Sequence, residues 1–167
     1  VIFKNIKITT YSNTGFGQYN TSAQGGGLYI KTGAVTLDSG AWVGDCFTDS
    51  QAKDEMQGAG IYLDSGKLTI KTGAKISNNQ VKNTKTSGAA EGGGIYINSG
   101  IVEICGGEIS GNSASSSGIS GIKAGGGIYI KDGGSLLLSG SFSMPSSGSA
   151  GQNDIYVEAA DSIKIKN

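Results

Sequence analysis

Gly92-Gly93-Gly94-Ile95-Tyr96-Ile97 is the stretch that decides the fold, because the chain keeps repeating it. Close copies occupy residues 25–30, 58–63 and 125–130, and an eroded copy occupies residues 153–157. The tyrosines of these five copies are spaced 33, 34, 33 and 27 residues apart. A period of this length is typical of a solenoid, in which each unit buries its apolar face only against its neighbours.

Each repeat also contains short alternating segments separated by glycine turns. In the third repeat Ile95 and Ile97 flank Tyr96, and apolar residues recur in Val102-Glu103-Ile104 and at Ile109. Such alternation is typical of strands with one buried face. Strands this short are stable only when equivalent strands stack on them at roughly 4.8 Å. The spacing therefore predicts three strands per coil, with Ile95, Ile97, Val102, Ile104 and Ile109 in the core.

The predicted fold is a single all-β domain over residues 1–167, a right-handed, single-stranded parallel β-helix with about four full coils and partial end coils. The right hand follows from the strong bias of parallel crossover connections. The repeat units lie near residues 25–57, 58–91, 92–124 and 125–152, with a partial unit at 153–167. Residues 163–165 are expected to form the second strand of the last coil. Because the chain begins and ends within a repeat, we interpret it as a piece of a longer solenoid.

Composition narrows the classes of function. Thirteen lysines balance thirteen acidic residues, and the chain has neither arginine nor histidine. A net charge of zero gives no electrostatic footprint for nucleic acid. Without arginine and histidine the chain lacks the bidentate ligand for carboxylates and the general base that usually works near neutral pH. We therefore predict a protein that is not an enzyme, with no catalytic residue, no cofactor and no nucleic-acid partner.

Neither the apolar residues nor the cysteines suggest a membrane span or a disulfide. No apolar run approaches the roughly 20 residues that cross a bilayer, so membrane contact is expected only through regions outside this chain. Cys46 and Cys105 lie two repeats apart, and stacking would separate them by about 10 Å along the axis. That exceeds the Cα separation of roughly 7 Å that a disulfide tolerates. A disulfide between Cys46 and Cys105 is therefore not expected.

Longer polar insertions follow the third predicted strand of each repeat, at residues 44–57, 80–91, 113–124 and 146–152. They are predicted to be loops that leave the solenoid at one corner, and such a corner is often the binding face of a repeat array. Six charged residues of the first two insertions are the candidate contact residues, namely Asp45, Asp49, Asp54, Glu55, Lys82 and Lys85. The acidic residues are spaced too widely for the six to eight oxygen ligands of calcium, so no metal site is predicted. The alternative that these segments are solvated spacers stays open.

The repeated tyrosines are the second candidate contact surface. If the flanking aliphatic side chains point inward, all five point outward and stack as a ladder along one face; they are Tyr29, Tyr62, Tyr96, Tyr129 and Tyr156. Such rings can pack on one another, which stabilises each pair by about 0.5–1.5 kcal/mol. They can also form a platform on which sugar rings lie.

Two recurring motifs carry a family resemblance. Gly93-Gly94-Ile95 is followed by Ile109-Ser110-Gly111-Asn112, and the preceding repeat contains Ile76-Ser77-Asn78-Asn79. This combination resembles the right-handed parallel β-helix repeats of bacterial surface proteins, including polymorphic outer membrane proteins and autotransporter-like passengers. The hallmarks of those repeats are Gly-Gly-Ala-Ile and Phe-x-x-Asn. Here isoleucine replaces the phenylalanine, and the first and last units lose the asparagine of this motif.

The resemblance covers residues 25–157 and implies an extracellular or cell-surface location. It implies a non-catalytic stalk or adhesin-like module whose corner loops contact a host or neighbouring-cell surface protein or glycan. The oligomeric state is left open. The alternative is a carbohydrate-active module, similar to pectate lyases and polygalacturonases, that binds or cleaves polysaccharide along the tyrosine face. Those families use clustered aspartates with Arg, Lys or His, whereas Asp38, Asp64 and Asp132 occupy non-equivalent turn positions.

Overall fold

The computed structural model describes residues 1–9, 24–51, 54–118, 121–145 and 148–166. Within these residues the strands of successive coils pair in parallel, and there is no helix. The register advances by one repeat per coil, so Tyr96 lies opposite Tyr62 on one side and Tyr129 on the other. The chain is a parallel β-solenoid of about four turns, which confirms the predicted fold class.

The strands form five sheets, numbered here in the order in which a coil visits them. Sheet 1 contains Leu28–Ile30, Ile61–Leu63, Ile95–Ile97, Ile128–Ile130 and Ile155–Val157. Sheet 2 contains Ile2–Phe3, Ala34–Leu37, Lys67–Ile70, Ile101–Ile104, Ser135–Leu138 and Ile163–Ile165. Sheet 3 contains Lys7–Ile8, Trp42–Gly44, Lys75–Ser77 and Glu108–Ser110. Sheet 4 contains Phe47–Ser50, Gln80–Asn83 and Ser113–Ser116, and sheet 5 contains Glu55–Gln57, Ala89–Glu91 and Lys123–Ala124.

A coil therefore has up to five strands, and the prediction of three is wrong. Sheets 1, 2 and 3 are the predicted ones. Sheets 4 and 5 are built from the insertions at 44–57, 80–91 and 113–124, which were expected to be loops. Their strands alternate as regularly as the others, but the inward positions hold Thr48, Val81 and Ala114 instead of long aliphatic side chains.

Sheets 1 to 3 enclose the main core, and together they are called the main lobe below. This core consists almost entirely of branched aliphatic side chains contributed by every coil. All five predicted core residues of the third repeat are fully buried in it, namely Ile95, Ile97, Val102, Ile104 and Ile109. Burial of such a side chain contributes about 1.5–3 kcal/mol, so this stack of isoleucines supplies most of the driving force for folding.

Sheets 4 and 5 enclose a separate, smaller core and form the side lobe. Its buried apolar cluster is Met56, Ala59, Val81, Ala90 and Ala114. The remaining inward positions of sheet 4 are polar, as at Ser50 and Asn83. The Asn83 amide donates a hydrogen bond to the carbonyl of Ala89 across the lobe. The side lobe is thus held partly by apolar packing and partly by hydrogen bonds.

The two lobes meet at a neck, where the chain leaving sheet 3 passes the glycine-rich chain entering sheet 1. A Cβ atom on Gly94 would lie 2.6 Å from the carbonyl oxygen of Gly127 and 3.0 Å from the side-chain Cγ of Asn112. A Cβ atom on Gly60 would meet Gly94 and Asn79 in the same way. The repeated glycines are needed because two passages of backbone touch here without room for a side chain.

Buried asparagines fill the neck as a hydrogen-bonded ladder. The Asn79 amide donates to the side-chain oxygen of Asn112 at 2.9 Å, and Asn112 donates to that of Asn153 at 3.1 Å. Each amide also donates to a backbone carbonyl, as Asn112 does to Ile76. In the first coil Cys46 takes the equivalent place, and its amide N–H donates to Asn79. The last coil, which lacks the motif asparagine, supplies Asn153 from a different position.

The last coil takes a shortcut past the side lobe, which explains the tyrosine step of 27 residues. After sheet 2, Ser143 pairs with Glu108 beside sheet 3. Gln152 then forms an antiparallel bridge to Ser113, and the chain enters the final strand of sheet 1. Residues 163–165 pair with 136–138 and so form the second strand of this coil, as predicted. Cys46 and Cys105, between which no disulfide is expected, are not bonded to each other.

Candidate functional site

The tyrosine ladder is the most regular feature of the outer surface of sheet 1. Successive ring centroids are 5.2, 5.2, 5.1 and 5.0 Å apart. The rings are stacked and nearly parallel, with interplanar angles of 5–9° except for 23° at the last pair. The parallel register places each tyrosine directly over the next, so the predicted ladder is confirmed.

The middle of this ladder is covered. Tyr62, Tyr96 and Tyr129 are at most 4% exposed, whereas Tyr29 and Tyr156 at the two ends are 44% and 43% exposed. The cover comes from sheet 5, whose side chains fill the crease between the side lobe and sheet 1. Ala124 packs in one cluster with the three buried rings. A sugar ring can therefore lie only on the end tyrosines.

Glutamine side-chain amides donate hydrogen bonds to the hydroxyls of Tyr62 and Tyr96. Gln57 Nε2 donates to the Tyr96 hydroxyl at 3.0 Å. One coil earlier, Gln24 Nε2 donates to the Tyr62 hydroxyl at 3.1 Å. Gln24 also donates to the Gln57 side-chain oxygen at 3.2 Å, so the two amides form a ladder of their own beside the rings. The crease is therefore filled by hydrogen-bonded side chains and is not an open groove.

Glu91 occupies the next position of this ladder and is the buried ionisable group of the crease. It accepts a hydrogen bond from Gln57 Nε2 at 3.1 Å and is only 7% exposed. Burial raises the pKa of its carboxyl group above the usual range, and the nearby carboxylate of Glu55 raises it further. A buried carboxyl group in a structural layer is costly unless it is neutral or paired.

The tyrosines themselves are poor acids in this layer. Burial raises the pKa of Tyr62 to about 12 and raises the pKa of Tyr96 and of Tyr129 still further. The Tyr129 hydroxyl donates to Glu158 Oε1 at 2.6 Å, and this bond lowers the pKa of the Glu158 carboxyl group. All three buried rings therefore remain neutral hydrogen-bonding groups across the ordinary pH range.

The charged residues predicted to make loop contacts lie instead on strands, bends and the edge of the side lobe, where most are paired. Asp45 accepts from Lys7 at 3.1 Å, and Asp49 lies 3.8 Å from Lys82. Lys85 pairs with Asp54. Glu55 accepts a hydrogen bond from Gln57. Each ion pair joins neighbouring coils, and such exposed pairs contribute about 0–1 kcal/mol.

Four polar residues of the crease were not among the predicted sites: Gln24, Gln57, Glu91 and Glu158. A signal for the first three does exist, because position −5 from each tyrosine reads Gln24, Gln57, Glu91 and Ala124 in successive repeats. No signal pointed to Glu158, since its contact with Tyr129 depends on the shortened last coil.

Two further observations concern the described part of the chain. Its residues contain no helix long and apolar enough to cross a membrane. They also contain no group of three or more His, Cys, Asp or Glu side chains placed to hold a metal ion. Comparison of the chain with known protein families, with curated proteins and with solved structures finds no match.

Proposed function

We propose that this chain is a non-catalytic scaffold module, a stalk with adhesin-like contacts, in a secreted or cell-surface protein. The observation that supports this function is the direction of its polar contacts. All six ion pairs of the described residues join adjacent coils, as Lys71 to Asp38 and Lys75 to Glu108 do. The tyrosine, asparagine and glutamine ladders run the same way. The polar and aromatic side chains therefore connect successive coils and stiffen the solenoid along its axis.

The resemblance to bacterial β-helix surface repeats supports the proposed location. The module carries a glycine-rich neck and an asparagine ladder at the two motif positions from which that resemblance was drawn. Labelling of intact, unpermeabilised source cells with an antibody against this chain tests the location. Strong labelling is expected, and labelling only after permeabilisation would contradict it.

The outer face of the side lobe is the proposed contact surface, since its residues change in size and charge from coil to coil. Its residues change from Phe47 and Asp49 in the first coil to Gln80 and Lys82 in the second. The third coil presents serines at the same positions. The partner on this proposal is a surface protein or glycan of a host or neighbouring cell.

A charge-swapped variant tests this contact without removing the ion pair. In the double variant Asp49→Lys/Lys82→Glu the pair is reversed, so the fold should be kept while the surface potential changes sign locally. Binding of the labelled chain to cells and to a glycan array should fall in this variant. The matched control is Tyr156→Ala, which removes an exposed ring from the end of the ladder and should leave binding unchanged.

The polysaccharide alternative makes the opposite prediction. Specific glycan binding that is lost with Tyr29→Ala or Tyr156→Ala but kept in the charge-swapped variant would favour it. Release of reducing or unsaturated sugar ends would favour an enzyme. Tyr62→Ala and Tyr96→Ala do not serve this purpose, because both rings are buried and their loss would open cavities.

A further inference from the structure

The tyrosine ladder is a column of oxidisable rings that is open at both ends and covered in the middle. Neighbouring ring centroids lie 5.0–5.2 Å apart along its whole length. Tyr29 and Tyr156 are exposed, and the three rings between them are buried. Electron exchange between aromatic groups falls exponentially with distance, so stacked rings exchange an electron rapidly. The column therefore offers an oxidant in solution two entry points and a sheltered route between them.

Oxidation of a phenol requires an acceptor for its proton. A phenol that has lost an electron is a strong acid, and it remains a cation as long as it keeps its proton. An unpaired cation in a buried layer is costly. A base that takes the proton must lie within hydrogen-bond reach of the hydroxyl, at about 2.6–3.2 Å. The partner of each buried hydroxyl therefore decides where a radical can settle.

Tyr129 is a buried ring whose hydroxyl donates to a carboxylate. Its oxygen lies 2.6 Å from Glu158 Oε1, a distance typical of a hydroxyl that donates to an ionised carboxyl group. This hydrogen bond lowers the pKa of Glu158, so the group is ionised at neutral pH. The other oxygen, Oε2, accepts the Asp132 backbone N–H at 3.0 Å, which holds the carboxylate in place. Glu158 is also exposed, so a proton that it receives can pass to water.

The hydroxyls of Tyr62 and Tyr96 have partners of the opposite kind. Gln24 Nε2 donates to the Tyr62 hydroxyl at 3.1 Å, and Gln57 Nε2 donates to that of Tyr96 at 3.0 Å. An amide N–H is a donor and cannot accept the phenol proton. These two contacts supply no base, so an oxidised Tyr62 or Tyr96 ring recovers its electron from the next ring of the stack.

We propose that the tyrosine ladder is a route for oxidising equivalents, which are held at Tyr129 as a neutral phenoxyl radical. A one-electron oxidant in solution takes an electron from the exposed ring of Tyr29 or Tyr156. Electrons then pass along the stack toward the oxidised ring until Tyr129 has lost one. Its O–H bond breaks, and the proton binds Glu158 Oε1. The products are the reduced oxidant, the Tyr129 radical and a protonated Glu158. This activity is separate from the proposed surface contacts.

Flash oxidation of the full chain by photogenerated tris(bipyridine)ruthenium(III), followed by rapid freezing and electron paramagnetic resonance, tests the route. Every sample carries Tyr11→Phe and Tyr19→Phe, so that only ladder tyrosines give a signal. The signal that Tyr129→Phe removes is assigned to the Tyr129 radical. Tyr156→Phe closes the nearer entry, and the Tyr129 radical should still form because the oxidising equivalent enters at Tyr29.

Interruption of the stack is the critical comparison. Adding Tyr96→Phe to Tyr156→Phe keeps the stacked ring but removes the oxidisable one between Tyr62 and Tyr129. The Tyr129 signal should then be lost, although Tyr129 and Glu158 are unchanged. Circular dichroism checks that the fold is kept. A Tyr129 signal of undiminished size in this variant would overturn the proposed route.

Glu158→Gln tests the proton acceptor, since it keeps a polar side chain of the same length without a basic oxygen. In the Tyr156→Phe background, transient absorption should show that the Tyr129 radical appears about a hundredfold more slowly. Low pH, which protonates Glu158, should slow the unaltered glutamate form in the same way. Asp132→Asn is the matched control, because it removes a nearby charge but keeps the backbone N–H that holds Glu158. An equal rate with glutamine and glutamate at position 158 would overturn the assignment of Glu158 as the proton acceptor.

Discussion

The main lobe and the side lobe both stack strands in parallel register, but their interiors are filled by different kinds of side chain. In the main lobe the inward positions repeat long branched side chains, as at Ile70, Ile104 and Ile76. In the side lobe they repeat alanine, threonine, serine and asparagine, and Met56 and Val81 are the largest apolar members. Parallel pairing is equally regular in both. Regular pairing in the side lobe therefore depends on the neighbouring main lobe for much of its stabilisation, since its own apolar burial is small.

Ile97→Asp should have the largest effect, because it places an uncompensated charge in the main core. We expect a loss of about 4 kcal/mol or more in the free energy of unfolding, enough to disrupt the adjoining coils. Far-ultraviolet circular dichroism and urea denaturation measure it. The same substitution at Ile101, which is exposed on sheet 2, is the control and should change stability by about 0.5 kcal/mol or less. Equal effects at the two positions would contradict the assignment of the core.

Gly94→Ala should break the neck that joins the lobes. The new Cβ atom would meet backbone and the buried Asn112 amide, neither of which can move cheaply, so we expect a cost of about 3 kcal/mol. Gly133→Ala is the matched control, since space is open there and only its positive φ of 96° opposes a side chain. That control should cost about 1–2 kcal/mol. The urea midpoints of the two variants are compared. A larger loss of unfolding free energy for Gly133→Ala than for Gly94→Ala would contradict the close contact at the neck.

A pair of truncations compares the two cores within one coil. Ile76→Ala in the main core should cost about 3–4 kcal/mol, and Val81→Ala in the side lobe about 1–2 kcal/mol. Native-state hydrogen exchange shows which sheets each variant destabilises. Val81→Ala should raise exchange in sheets 4 and 5 only, whereas Ile76→Ala should raise it in every sheet of the coil. Global loss of protection in Val81→Ala would show that the lobes are a single cooperative unit.

Glu91→Gln should stabilise the crease by about 1 kcal/mol at pH 7. Because the folded-state pKa of Glu91 is raised, its contribution to stability is fully present below its unfolded value of 4.5 and is lost as pH rises through the folded value. The variant removes that loss and continues the amide ladder of Gln24 and Gln57. Thermal unfolding at pH 4 and pH 7 measures it, with Glu55→Gln as the control on the same strand. A benefit of equal size at both pH values would disprove the raised pKa as its cause.

Lys82→Ala should have the smallest effect, about 0.5 kcal/mol or less, since its partner Asp49 is 3.8 Å away and both side chains contact solvent. A double-mutant cycle with Asp49→Ala isolates the pair. A coupling energy clearly above about 1 kcal/mol would show that the side lobe depends on its surface charges more than its geometry suggests.

The sequence predicts the main lobe and the tyrosine ladder well because both rest on a strict period. Leu68, Val102 and Leu136 recur at equal spacing, and periodic aliphatic positions are the strongest signal of a buried strand. The side lobe was interpreted as loops because Thr48 and Ala114 in its core look no different from surface residues. Burial of Tyr96 could not be predicted for the same reason, since the cover over it is the unrecognised sheet 5.

The short last coil shows that the cross-section of this solenoid can differ from one coil to the next. The described residues between 139 and 152 add no strand to sheets 4 and 5, yet Asn153 still completes the asparagine ladder and sheets 1 and 2 continue without a break. A thick coil and a thin coil are therefore compatible neighbours on the same axis, with the neck as their common joint. In this architecture a rod can change its cross-section from one coil to the next through the length of the segment that precedes sheet 1.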